Sequence, residues 1–394
     1  MSYQVLYRKY RPKDFSEVVG QDHIISVLRR QVENGRVAHA YLFSGPRGIG
    51  KTTVARLIAK AVNCANAPSA TVGSGAGALS ARRSSEGAEA GYLKKLPCNT
   101  CESCLVFNQG QALNLIEIDA ASNRGIDEIR ELREAVRFLP PSGGTKVYVI
   151  DEVHQLTKEA FNALLKTLEE PPAHVVFVLA TTELEKVPPT IVSRTQHFDF
   201  RRPRSEVIRD RITAIAKNEG VTLEPDAAAT IAFVAEGSVR DAESLLGKIM
   251  AVEDARITPQ EVEDILGIPE RQALVDLFQF IGRRQAKEAI ALVNRLYQSG
   301  FEMDYLTKIL ISFFRDALLM KTDPALGPAA GSRAVSGSEG DFAEHLDSYT
   351  ADDLASAIVA FIEALAMSRR SPIPQLPLEL AIINIIHGPG ATKI

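Results

Sequence analysis

No apolar stretch in the 394 residues reaches the roughly 18 to 20 needed to span a bilayer, and the start, MSYQVLYRKYRP, lacks the hydrophobic run of a secretory signal. The expectation from those two absences is a cytoplasmic protein. Cysteine is scarce: four residues in a chain of this size cannot staple a disulfide scaffold. There is no excess of basic charge either. Lys plus Arg number 45 against 49 Asp plus Glu, a net charge of -4, so the field of the whole chain does not attract nucleic acid and any such contact must be local. A disordered composition is also missing, since hydrophobic residues make up 45% and charged residues 24%, close to the globular average. What is present is enough chain for about two or three domains.

From about residue 40 to 200, short apolar runs alternate with amphipathic stretches, the pattern of a parallel sheet built from strand-helix-strand units. The runs are Ala40 to Phe43, Leu115 to Ile118, Val147 to Ile150 and Val175 to Ala180. After about residue 205 the strand signals stop and helical periodicity predicts an all-α remainder. Two apolar stripes there are Ile290, Val293, Leu296 and Tyr297, then Leu354, Ile358, Phe361, Ile362 and Leu365. Residues 65 to 95 and 322 to 340 are rich in Ala, Gly and Ser without a hydrophobic period, and read as flexible surface insertions.

The first run leads directly into GPRGIGKT, Gly45 to Thr52, and then into the helical stretch VARLIAKAV. Strand, G-x-x-x-x-G-K-[ST] loop and helix occur in the order that a phosphate-binding loop requires. Backbone N-H groups close around phosphates there, the helix N-terminus adds partial positive charge, Lys51 reaches the β and γ phosphates and Thr52 can hold Mg²⁺. The glycine order excludes a dinucleotide fingerprint. The third run ends in Asp151 and Glu152, carboxylates at the strand end where such sheets bind ligands. Asp151 would orient Mg²⁺ or its water, and Glu152 would polarise the attacking water. Thr181 and Thr182, Arg194 and Arg240 are the candidates for groups around a γ phosphate.

Three of the cysteines are spaced C-x₂-C-x₂-C at Cys98, Cys101 and Cys104, with Cys64 well upstream. Four thiolates suit a tetrahedral Zn²⁺, and three clustered ones supply most of an iron-sulfur run, although its Cys-Pro ligand is missing. Unbound thiols are the bland alternative.

These motifs, with LYRKYRP (6 to 12), FSEVVGQDH (15 to 23), HAYLFSGPRGIGKTT (39 to 53), EIDAASNRGIDEIREL (117 to 132), KVYVIDEVHQL (146 to 156), ALLKTLEEPP (163 to 172), ATTE (180 to 183), SRTQ (193 to 196) and GSVRDA (237 to 242), resemble the AAA+ ATPases. Within that class the likeness is to the gamma/tau subunits of the bacterial DNA polymerase III clamp loader. The resemblance implies a core P-loop ATPase over residues 1-179 with a zinc-binding insertion at 64-104, a helical lid over 180-245 and an all-α collar over 246-394. ATP, Mg²⁺ and Zn²⁺ are the implied cofactors. Gly45, Pro46, Arg47, Gly48, Ile49, Gly50, Lys51, Thr52 and Thr53 would hold the phosphates, with Tyr7, Arg11 and Val19 near the adenine. Thr182 would be the first sensor, Arg240 the second, and Arg194 the arginine presented to ATP in the neighbouring subunit. The four cysteines would hold a structural zinc, despite the insertion that separates Cys64 from the other three.

The implied partners are further gamma/tau copies, the delta and delta prime subunits, the sliding clamp and primer-template DNA, at the replisome on the nucleoid and without a membrane. DNA contacts would be made to backbone phosphates by local charge such as Arg8, Lys9, Arg11, Lys13, Asn123, Arg124 and Arg130. The competing readings are another AAA+ DNA remodeller, such as a branch migration motor, and a scaffold that has lost hydrolysis. The first leaves the cysteines unexplained, and the presence of Lys51, Thr52, Asp151 and Glu152 disfavours the second.

Overall fold

The computed structural model describes residues 4–68, 96–140, 143–252, 255–267, 269, 271–323, 346–368 and 370–388. Most of both Ala/Gly/Ser-rich segments, expected as flexible insertions, lies outside these residues. The described chain divides into two compact units, one running to Arg204 and including Ser238–Asp241, the other made of Ser205–Gly237 and everything from Ala242 onward.

The first unit is a three-layer α/β structure. Its five strands are β1 (Ala40–Ser44), β2 (Leu115–Asp119), β3 (Lys146–Asp151), β4 (Val175–Thr181) and β5 (Gln196–Asp199). They pair in the order β2-β3-β4-β1-β5, all parallel. Because side chains alternate across a strand, each central strand feeds two cores. Tyr41, Phe43, Val147, Val149, Val176 and Val178 pack on one face with Ile24 and Leu28 of helix Asp22–Glu33 and Val54 and Ile58 of helix Lys51–Val62. Ala40, Leu42, Tyr148, Ile150, Phe177 and Leu179 pack on the other with Ile129 and Leu132 of helix Ile126–Val136 and Phe161 and Leu164 of helix Lys158–Glu169.

Four strands fall on the expected runs. β5 has no counterpart in the sequence reading, because QHFD alternates half-buried and exposed positions and an edge strand needs no continuous apolar run. The expected boundary between residues 179 and 180 lies inside β4, and with β5 in the same sheet the unit extends to Arg204.

Among its described residues the second unit is helical apart from one parallel pair of two-residue strands, Thr222–Leu223 with Arg256–Ile257, which corrects the expectation of no strand beyond residue 205. The expected boundary at 245 falls within helix Val239–Met250. Its C-terminal core is aromatic. Phe278 lies 4.9 Å from Phe314 and 4.5 Å from Tyr349, ring centre to ring centre, and Phe314 lies 5.2 Å from Phe361. In helix Ala351–Ser368 the buried residues are Leu354, Ala357, Phe361 and Ala364, while Ile362 is exposed. In helix Ala286–Gln298 Leu292, Val293 and Leu296 are buried, while Tyr297 is exposed. In helix Ala351–Ser368 two alanines share the buried face, and in helix Ala286–Gln298 the face turns toward Leu292, so each expected stripe lies slightly off the buried one. No helix among the described residues is long and apolar enough to cross a membrane.

Phe43 is fully buried among Tyr41, Phe198 and Phe200, with the Phe200 ring 5.0 Å away. Phe43→Ala is expected to destabilise the protein by about 3 to 5 kcal/mol, checked by denaturant unfolding.

Candidate functional site

β4 lies between β3 and β1, so the C-terminal ends of three adjacent strands bring the loop Gly45 to Gly50, the pair Thr181 and Thr182, and the carboxylates of Asp151 and Glu152 together. The loop begins where Gly45 N donates to the carbonyl of Thr181 at 3.2 Å. Gly45 (φ 132°) and Gly48 (φ 76°) adopt left-handed backbone, and a Cβ would collide with the Phe200 carbonyl at the first and with Ser238 Oγ at the second. Pro46 and Arg47 line a cleft of about 660 Å³ with Glu152, His154, Thr182 and Arg202. Ile49 is buried beneath the loop, and Thr53 is half-buried in the first turn of the following helix.

Lys51 is 6% exposed, and its Nζ donates to the carbonyls of Gly45 at 2.5 Å and Pro46 at 2.7 Å. Burial lowers its pKa, while Glu152 and Asp151 hold it up. Thr52 Oγ1 donates to Asp151 Oδ2 at 2.9 Å, so the two side chains expected at Mg²⁺ are in direct contact. Glu152 sits in left-handed backbone (φ 49°, ψ 45°) just past β3. Its Oε2 accepts hydrogen bonds from Thr182 N at 3.2 Å and Thr182 Oγ1 at 2.9 Å.

Arg240 N donates to the Gly48 carbonyl at 3.2 Å, and its guanidinium carbon lies 4.8 Å from the centre of the Tyr7 ring. Arg11 is half-buried, its pKa lowered by burial and by Arg56. Val19 is half-buried next to Gln21, whose Nε2 donates to the Arg201 carbonyl at 2.7 Å. Arg194 makes its contacts elsewhere: its Nη2 lies 2.7 Å from Glu169 Oε1, and its Nη1 donates to the Thr190 carbonyl at 3.0 Å. Sequence reasoning missed His154 and Glu183, although His154 stands in the quoted run VYVIDEVHQL, three residues after Asp151.

The four cysteine sulfurs lie within 4.8 Å of one another, with Cys98 Sγ and Cys104 Sγ 3.9 Å apart. Zn-S bonds of about 2.3 Å in a tetrahedron put sulfurs about 3.8 Å apart, so the donor set fits a tetrahedral metal. Helix Lys51–Val62 carries both sites: the phosphate loop leads into its start, and Cys64 follows its end. One turn before Cys64, Lys60 is 4% exposed and spends its donors on the Lys13 carbonyl at 3.0 Å, Asn108 Oδ1 at 2.5 Å and Asn99 Oδ1. Burial lowers the Lys60 pKa, and Cys104, Glu17 and Asp14 oppose the shift.

The curated gamma subunit of DNA polymerase III from Buchnera aphidicola is 37% identical over 326 residues, 83% of this chain and 83% of that protein. The chain belongs to the DNA polymerase III gamma/tau family. Family models for the delta subunit of DNA polymerase III match residues 20–204, for the clamp loader subunit ATPase lid 207–252, and for domain III of gamma and tau 257–392. The tau subunit of Bacillus subtilis is 39% identical over 98% of this chain. The chain spans 63% of that relative, less than two thirds of its length. Among solved structures, the RuvB Holliday junction branch migration motor of Thermotoga maritima matches 74% of this chain and 86% of that one at 19% identity, with a TM-score of 0.46.

Burial opposes ionisation of the Cys98 thiol, but hydrogen bonds from Thr100, Cys101 and Cys64 bring it down to about 6, while burial pushes Cys64 and Cys104 up. In metal-free protein, alkylation at pH 7 is expected to label Cys98 first, with half-reactivity near pH 6. Because its folded-state pKa lies below the unfolded value, Cys98 contributes stability above the unfolded thiol pKa that is lost as pH falls through about 6.

Proposed function

We propose that the chain binds and hydrolyses ATP as a motor subunit of a bacterial clamp loader, which opens the sliding clamp and places it on primer-template DNA. The observation that carries this reading is the convergence of Lys51, Thr52, Asp151, Glu152 and Thr182 on three adjacent strand ends, with Thr52 Oγ1 only 2.9 Å from Asp151 Oδ2. Gly45 to Thr53 cradle the phosphates, and Lys51 exchanges its two loop carbonyls for phosphate oxygens. Thr52 and Asp151 would hold Mg²⁺, which would supply neutralisation of charge on the phosphoryl oxygens. Glu152 takes the proton of the attacking water, and Thr182 orients that carboxylate. Arg240, already on the loop carbonyl of Gly48, senses the nucleotide, and Tyr7, Arg11 and Val19 border the base.

Arg194 serves a different ATP. Its side chain is 35% exposed and held by Glu169, away from the loop of its own chain, which suits delivery to a neighbouring subunit. The division of labour is a core, a lid and a collar. The ring partners are further gamma/tau copies, delta and delta prime. Exposed Arg124 and Arg130, at the start of helix Ile126–Val136, supply backbone-phosphate contacts to DNA. The four cysteines would hold Zn²⁺ as a structural site, four thiolates filling its coordination.

ATP turnover in the assembled loader, with and without primed DNA and clamp, tests the reading. Lys51→Ala should abolish nucleotide binding. Arg194→Ala should leave binding intact and lower stimulated turnover by about 10³-fold or more, and an unchanged rate would remove Arg194 from catalysis. Metal analysis should find zinc, bound by all four cysteines; iron, or no metal, would overturn that assignment.

A further inference from the structure

A buried imidazole that the proposed mechanism does not use stands beside its base. The His154 side chain is 3% exposed, yet both ring nitrogens meet polar groups. Nδ1 lies 2.9 Å from Thr181 Oγ1 and 3.4 Å from Glu152 Oε2. Nε2 lies 2.8 Å from Gln155 Nε2 and 3.2 Å from Glu183 Oε1, and Lys186 pairs with Glu183 at 2.6 Å. Thr181 Oγ1 is the hydrogen-bond partner of Nδ1, and Glu152 Oε2 is the next polar atom beyond it, so this edge of the ring faces both.

We propose that His154 is a positioning residue for Glu152: its Nδ1, anchored on Thr181 Oγ1 and 3.4 Å from Oε2, backs the carboxylate oxygen that the N-H and O-H of Thr182 hold, so that Oε1 is left to take a proton from water. The inference rests on the hydrolytic reading above and adds a residue to it. Thr182 N and Thr182 Oγ1 donate to Oε2, and His154 Nδ1 stands 3.4 Å from the same oxygen. That convergence matters because Glu152 leaves β3 through left-handed backbone, where the strand no longer dictates the side-chain direction. Thr182 reaches Oε2 from the end of β4, and His154 from the short helical turn Val153–Gln155. Both anchors are therefore tied to the sheet ends that place Asp151 and the loop.

The test uses the full chain in its assembled complex. His154→Ala should lower kcat for ATP by about tenfold or more with KM and the affinity for a non-hydrolysable analogue unchanged, since a misplaced base slows the chemical step and not binding. His154→Asn, whose amide nitrogen takes the place of Nδ1, should restore most of kcat; His154→Gln, which mimics Nε2, should not. Full kcat in the Ala variant, or an Asn variant no better than Gln, overturns the proposal, and the Asn and Gln pair decides it if the Ala variant folds poorly. Independently of turnover, Glu152→Gln should move the imidazole nitrogen NMR signals of His154, and unmoved signals overturn the contact. An inactive wild-type complex would instead defeat the hydrolytic reading.

Discussion

The pairing of β4 between β1 and β3 is the constraint on which the rest of the site depends. Parallel strands end on the same side of the sheet, so that order brings two threonines and two carboxylates to the same edge as the phosphate loop, which lies about a hundred residues or more before them in the chain. The hydrogen bonds that follow are short-range consequences of it. Thr52 meets Asp151, Thr182 meets Glu152, and Gly45 meets Thr181 because their backbones are already in register.

The helix after the loop extends this constraint to the cysteine cluster. Its first turn carries Lys51 and Thr52, and its last leads through Lys60 to Cys64, so loop and cluster share one rigid element. Four thiolates around a divalent metal would carry a net charge of about -2, and a buried ammonium beside them would offset part of that cost. Lys60 is so placed, and it ties Asn99 of the cysteine loop, Asn108 of the adjoining helix and the Lys13 carbonyl to one point. The long insertion between Cys64 and Cys98 leaves the geometry intact, because closing a longer loop adds little free energy.

Much of the core was legible in the sequence, and each miss has its own physical cause. Fully buried strands declare themselves as apolar runs, which is why β1, β3 and β4 were found. β5 pairs on one side only and carries His197 and Asp199 outward, so it resembled a loop. The face of helix Ala351–Ser368 was misplaced by a residue or two because Ala357 and Ala364 are buried with the larger residues beside them. His154 passed unnoticed because a histidine after a strand end is usually solvated, and only the packing of β4 against its turn encloses it.

By itself the sequence determined the chemistry available: a glycine loop ending in Lys51 and Thr52, carboxylates closing an apolar run, and four thiols. Such features are local, fixed by residue type and spacing along a few turns of chain. The tertiary structure decided which of them meet. It put Arg240 on the loop with Tyr7, kept Arg194 with Glu169, gathered Cys64 to its three distant partners and enclosed His154 beside Glu152. Those outcomes depend on strand order and helix packing, which join residues remote in sequence and leave no periodic trace in it.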